Sequence, residues 1–416
     1  MPAAPARRYT VTMPVKARWP LAVAVVAVLS TTAYVGWLST GPDEQIDAGL
    51  DFLSVVWGPL RGVRLGLDPY DPASAEYLQA TGVHLFGSVH APSLLTVLWP
   101  LGGLDASTAF LVWSALSGAM LWAAAWLLVR PDGPRRAAWT IGLGLLLTVV
   151  GAGEYAARLG QVTSFAVLGL ALAVRFRGRW PAAVGVACML VSPQIGVPLS
   201  ILALADRRTP DVVRGWLLTL VLSLPVLWVV VPAAGGVPAF AVGVARNISW
   251  LSGEVNAANR VDLPGVLGLG AAWTFAALGV VVAAALAWRR SGLAADEVAV
   301  LAAASLSVAA VYAMPYSLTL VLAAAAPVLV VARRWGLVER LAAGLAVLTA
   351  LQTIAVLGVV APAIGANVPG LFRLIAGVEG LLLVAIVIAA VVRLRSGAVA
   401  ELPDPAPAAT VSSPAV

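Results

Sequence analysis

Long apolar segments separated by short polar, arginine-bearing ones run from about residue 20 to residue 392. They recur at 20–38, 91–103, 106–129, 136–152, 162–174, 180–205, 215–232, 264–288, 294–313, 316–332, 340–361 and 371–392. A bilayer core of about 30 Å takes about 20 helical residues at ~1.5 Å each. "WPLAVAVVAVLSTTAYVGWL" (19–38) is long enough to cross alone, whereas 91–103 and 162–174 are not. The pattern therefore predicts helices throughout, some of them full spans and others half-helices or re-entrant, with Pro193 breaking the 180–205 segment. The expected fold class is all-α, a polytopic membrane helical bundle of about 10–13 transmembrane or half-membrane helices with outer-face juxtamembrane helices in the first loop.

Composition removes the soluble alternative. The chain is 61% hydrophobic and 11% charged, with a mean hydropathy of +0.94, far from the roughly 25% charge of soluble chains. Arg7, Arg8, Lys16 and Arg18 precede the first segment, as they would in a signal peptide. No small-x-small cleavage site follows, so 19–38 reads as an uncleaved first helix. The lone Cys188 excludes an intramolecular disulfide and argues against a cysteine-ligated metal. P-loop, G-x-S-x-G and metal-ligand spacings are absent from the sequence, and neither cofactor nor metal is expected.

The net charge of +6 is carried in short clusters between spans rather than in one stripe, which points to membrane orientation and not to nucleic acid. Twenty of the 26 basic residues fall before residue 19 or in 130–136, 175–179, 206–214, 289–290, 333–340 and 393–395. The positive-inside rule makes these cytoplasmic, with both termini inside. Residues 1–18 are then a cytoplasmic N-terminus, 19–395 the membrane domain, and the Pro/Ala-rich 396–416 a disordered tail. The outer regions are 39–90, 153–161, 233–263, 314–316 and 362–370, and "APSLLTVLWPLGG" becomes a partial helix dipping in from the outer face.

Arg61, Arg64, Arg158, Arg246, Arg260 and Arg373 break the charge rule, and half of the 20 carboxylates accompany them outside. Mixed charge on several outer loops is what a polar site against a membrane requires. Asp47 and Asp51, four apart, share one helix face, while Phe52, Val55, Val56 and Leu60 form an apolar face expected to lie along the membrane surface. Like charge and an apolar boundary both push a carboxylate pKa upward, toward a general base. Capping explains Asp47 more simply, and spacing alone leaves Asp51 open between the two roles. Gly66 is expected to end the helix and Asp68-Pro69 to turn the chain toward Tyr70. Gln161 can bind sugar hydroxyls or merely start a helix, and His84 and His90 flank the point where the chain enters the membrane. Asn247, Trp250, Asn256, Asn259 and Arg260 gather amide and aromatic types suited to carbohydrate, and Glu379 reads as a buried structural group.

The order of "DFLSVVWGPLRGVRLGLDPYD", "HAPSLLTVLWPL", "LGQVTSFAVLGLALA" and "SPQIGVPLSILAL" resembles glycosyltransferase family 87 of the GT-C superfamily. Those are actinobacterial enzymes that use polyprenyl-phosphate sugars, among them mannosyltransferases of phosphatidylinositol mannosides and lipomannan and a related arabinofuranosyltransferase. The resemblance implies a GT-C type fold and inverting sugar transfer on the periplasmic or extracellular face of the plasma membrane. It implies a polyprenyl-phosphate donor and a glycolipid acceptor, with Asp51 matching the base. An outer cation must offset the leaving phosphate. Arg373 ranks first, just inside the last span, with His90, Arg61, Arg64, Gln161 and Tyr70 as further donor contacts. Asn247, Trp250 and Arg260 are the acceptor candidates.

Two positions depart from the family. His90-Ala91-Pro92 stands where an aromatic-Pro-Pro is usual, and Ser192 stands where a lysine precedes the proline. The phosphate-holding role of that lysine is thus unfilled or taken by another residue. A single lysine, Lys16, against 25 arginines also fits a GC-rich genome such as an actinobacterium's. A transporter or lipid flippase is the competing class, since broken helices serve transport too; its ionisable groups, however, belong near the midplane of several spans, and here they are mostly in loops. A non-catalytic scaffold is the third, and it makes Asp51 dispensable.

Overall fold

The computed structural model describes residues 22–31, 50–70, 88, 90–129, 134–149, 152–250, 260–262, 264, 267, 272–291, 297–310, 313–330, 337, 340, 344, 347 and 377–388. Among these residues every regular element is helical, as the apolar pattern predicts. The helices are α1 (Ala22–Thr31), α2 (50–64), α3 (Pro92–Val97), α4 (Ala106–Leu128), α5 (Pro134–Thr148), α6 (Ala152–Leu159), α7 (Thr163–Arg175) and α8 (Trp180–Leu190). They continue with α9 (Pro193–Ala205), α10 (Thr209–Ala233), α11 (Val237–Trp250), α12 (Ala272–Ser291), α13 (Glu297–Ala310), α14 (Leu318–Val330) and α15 (Gly377–Ile388).

Two helices, α4 and α10, are each long and apolar enough to cross a bilayer alone. Asp105 caps α4, its side chain accepting the Thr108 N–H at 2.9 Å. One face of α10 exposes Leu217, Leu220, Val221, Leu224 and Trp228, a stripe at helical spacing that only a hydrocarbon surrounding makes inexpensive. Other apolar segments hold shorter helices among the described residues. Residues 91–103 form α3 followed by a 3-10 turn, Trp99–Gly103, and 180–205 divides at Val191–Ser192, with Pro193 opening α9.

The core joins α4, α5, α7, α8, α9, α13 and α14. Small residues let the helices approach. A Cβ on Gly169 of α7 would meet the Gly185 carbonyl oxygen of α8 at 2.5 Å, and a Cβ on Gly185 would meet the Gly169 oxygen at the same distance.

One expectation fails. Phe52, Val55, Val56 and Leu60 do not lie along a membrane surface; they are buried in a second core with Leu94, Leu95, Trp113, Val226 and Val230. A five-residue π turn, Leu53–Trp57, interrupts α2, and the apolar face meets protein from α3, α4 and α10, where burial is as favourable as in lipid. Glu379 is buried in α15 as expected, and the domain boundaries at 1–18 and 396–416 lie outside the described residues.

Candidate active site

Asp51 sits in the first turn of α2, immediately before the π turn. The next residue, Phe52, stacks on Trp113 with ring centroids 6.0 Å apart, and Trp113 stacks in turn on Phe165 at 5.9 Å. The Trp113 indole N–H donates to the Gly160 carbonyl at 2.9 Å. Gly160 ends the α6 turn at φ +73°, a left-handed conformation, and a Cβ there would lie 2.5 Å from the Phe52 Cβ. Backbone geometry and close approach both require glycine at this position. The turn places the next residue, Gln161, against α2, where its side-chain amide donates to Asp51 Oδ2.

Asp51, next to Phe52 in the chain, is half-buried. Burial raises its pKa from 3.8 to about 6, and the Gln161 hydrogen bond partly opposes the rise. Ionised at neutral pH, it is a stronger base than an exposed aspartate, and it is held in one orientation by an amide. On α6, Glu154 and Arg158 pair at 3.4 Å, and burial also pushes the Glu154 carboxyl above its ordinary range.

α2 ends as the sequence predicts. Gly66 is left-handed at φ +76°, with Gly66 N–H bonding to Val63 O at 3.1 Å and Leu67 N–H to Gly62 O at 2.9 Å. This is the paired C-terminal closure that a glycine favours. Asp68 then accepts the Tyr70 N–H at 2.9 Å. The Tyr70 hydroxyl donates to the His90 carbonyl at 3.0 Å, and its ring meets Phe240 of α11 edge-on at 5.3 Å. Ala91 N–H bonds to Val191 O at 3.0 Å, fastening His90 to the break between α8 and α9. His90 is buried at 5% exposure, and neither ring nitrogen meets a hydrogen-bond partner among the described residues. Burial lowers its pKa to about 4, so the imidazole is neutral at neutral pH.

The other candidates are dispersed. Arg61 and Arg64 are exposed in the last turn of α2, stacked over Trp57 and Trp99 with guanidinium carbons 5.4 and 5.7 Å from the ring centroids. They stand ten and thirteen residues beyond Asp51, about 15 and 20 Å along a regular helix. Arg260 is buried in a two-bond pair with Asp262, at 3.0 and 2.6 Å, and Asp262 also accepts the Ala313 N–H at 3.0 Å. Its guanidinium is thus committed to fastening the chain at 260–262 to the 313–317 corner, in place of the open loop the sequence had implied. Asn247 and Trp250 fall in α11 rather than a loop, and nothing of their side chains is described. Arg373, His84, Asp47, Asn256 and Asn259 lie outside the described residues.

Sequence reasoning did not find Trp113, Phe165 or Gly160 as parts of the site. A glycine directly before Gln161 was the available signal.

The sequence model of glycosyltransferase family 87 matches residues 89–315. No curated protein matches the chain. Asp51 precedes the matched region, but the Gln161 hydrogen bond ties it to that region across the fold. With more than half of its length matched and a helical membrane architecture around the site, the chain belongs to glycosyltransferase family 87 and is a membrane glycosyltransferase.

Proposed function

We propose that the protein transfers mannose from a polyprenyl-phosphate donor to a glycolipid or lipoglycan acceptor on the outer face of the plasma membrane, with inversion and with Asp51 as general base. The observation that carries this reading is a half-buried carboxylate with its pKa raised to about 6 and held by the Gln161 amide. Family membership supports the reaction class. The arginine distribution supports cytoplasmic termini and an outer site.

In this reading Asp51 accepts the proton of the acceptor hydroxyl as its oxygen attacks the anomeric carbon. The bond from that carbon to the phosphate oxygen breaks, and its electron pair leaves with the polyprenyl phosphate. Asp51 then releases the proton to water. Charge growing on the leaving oxygen needs a donor or cation opposite the base. Arg373 and His90 are the residues we assign there, with Tyr70 holding His90 in place. Gln161 orients the carboxylate, and we assign its amide the further role of meeting a sugar hydroxyl. Arg61 and Arg64 suit donor phosphate less well, since they stack at the other end of α2. Asn247 and Trp250 remain our acceptor contacts, whereas the buried pair with Asp262 favours a structural role for Arg260.

Purified protein given polyprenyl-phosphate-mannose and a phosphatidylinositol-mannoside mixture tests this, with products read by mass spectrometry. A hexose added by wild type and not by folded Asp51→Asn is the expected result. Transfer only from a polyprenyl-phosphate-arabinose donor replaces mannose with arabinofuranose. Equal transfer by Asp51→Asn overturns the base assignment.

A further inference from the structure

A cavity of about 440 Å³ lies under His90, walled by Leu190, Pro193, Val197, Leu220, Leu227 and Phe240. Its α10 wall runs from Trp216 to Leu227, about 17 Å of helix. Trp216 and Leu220 line it and are also exposed, so it opens sideways onto the apolar surface of α10. The hydroxyls on that wall are already committed, Thr219 donating to Gly215 O at 2.9 Å and Ser223 to Thr219 O at 2.7 Å. Tyr70 donates to the His90 carbonyl, and Ser88 bonds with the Tyr70 side chain. Among the described lining residues, the His90 imidazole is left as the buried group with unspent hydrogen-bonding capacity.

An apolar trough with one buried, unpaired polar group in its lining fits an elongated hydrocarbon carrying one polar head. We propose that His90 binds the phosphodiester of a single-chain lipid whose hydrocarbon occupies this cavity, and that the imidazole takes up a proton from solvent as the phosphodiester enters. The inference rests on the donor reading above and adds to it a proton-coupled capture step.

The coupling follows from the surroundings. No charged side chain lines the cavity among the described residues. The titratable neighbours are Tyr70, bonded to the His90 carbonyl, and Asp68, which accepts the Tyr70 N–H. The α8–α9 junction and the α10 wall bring none, and Arg246 of α11 is exposed. Burial alone keeps the empty-site imidazole neutral, with a pKa of about 4. An anion at hydrogen-bond distance favours the charged form and moves such a group up by about 1–3 units. The bound state therefore holds more proton than the free state. Affinity is greatest below the free value and falls as pH rises through the bound value.

Isothermal titration of the purified protein in two buffers of different ionisation enthalpy counts the protons directly. The probe is a polyprenyl methyl phosphodiester, whose single charge does not titrate in this range, compared with the neutral polyprenol of equal length. We expect about 0.7 proton taken up per phosphodiester at pH 5.5, roughly tenfold weaker binding at pH 7.5 than at pH 5, and neither effect with the polyprenol. Both effects persist in Asp51→Asn and vanish in His90→Gln, with His90→Phe as a second variant should the first not fold. Uptake that survives His90→Gln, or that disappears in Asp51→Asn, overturns the proposal. Equal competition by phosphatidylinositol overturns the single-chain part, since two chains and a bulkier head would then fit. The probe carries no sugar. Loss of coupling with transfer intact sinks this inference alone, and coupling without transfer sinks the transferase reading alone.

Discussion

The Gln161 amide donates to Asp51 Oδ2 across 110 residues of chain. The bond joins the first turn of α2 to the left-handed turn after α6, and it opposes part of the burial that lifts the Asp51 pKa to about 6. In the role proposed for Asp51, base strength and base orientation thus depend on the same contact.

Transfer should follow the ionisation of that base. At saturating donor, kcat is expected to rise with pH through about 6 and to level above it. Asp51→Asn is expected to lose at least ~100-fold, the lower end of general-base contributions. A pH–rate profile with either donor checks both.

Removing the amide should move the profile upward. The Gln161 hydrogen bond favours the charged carboxylate, so Gln161→Leu raises the Asp51 pKa and shifts the rising limb toward higher pH. Because orientation is lost as well, the plateau should fall about 10–100-fold. An unchanged limb would separate Gln161 from the base.

Asp51 also links pH to stability. Its pKa is raised in the fold, so its contribution is full below about 3.8 and is lost as pH rises through about 6. Asp51→Asn should therefore raise the thermal midpoint more at pH 7.5 than at pH 4.5. Detergent-solubilised melts at the two pH values read the difference.

Gly160→Ala should damage both fold and activity. The new methyl would meet Phe52 at 2.5 Å on a backbone at φ +73°, where strain and overpacking each cost about 1–3 kcal/mol. A lower melting temperature together with lost transfer is expected, and a silent substitution would remove the turn from the account.

The Arg260–Asp262 pair distinguishes support from recognition. Breaking one partner of a buried pair costs about 3–5 kcal/mol, so Arg260→Met and Asp262→Asn should each destabilise, and the double variant should lose less than their sum. A raised acceptor KM at unchanged stability in Arg260→Met would return Arg260 to acceptor binding.

Much of the fold was legible because burying a backbone in lipid leaves few solutions. Apolar length, proline and the arginine clusters located α4, α10, the short α3 and the break before α9, and Gly66 marked the end of α2. The apolar face of α2 was equally visible, but hydropathy rewards lipid and protein alike, so its partner was not. Asp51 was legible as a charge at an apolar boundary. What held it was not, because Gln161, Gly160 and Trp113 are far apart along the chain and meet through helix packing.

The sequence by itself determined a helical membrane protein and its short and long segments, since both follow from local composition and spacing. Tertiary structure alone decided which surface α2 buries, that Asp51 meets Gln161, that Arg260 is committed to Asp262, and that His90 lines an apolar cavity. Those outcomes depend on desolvation and long-range contact, which belong to the packed arrangement of helices and to no single segment.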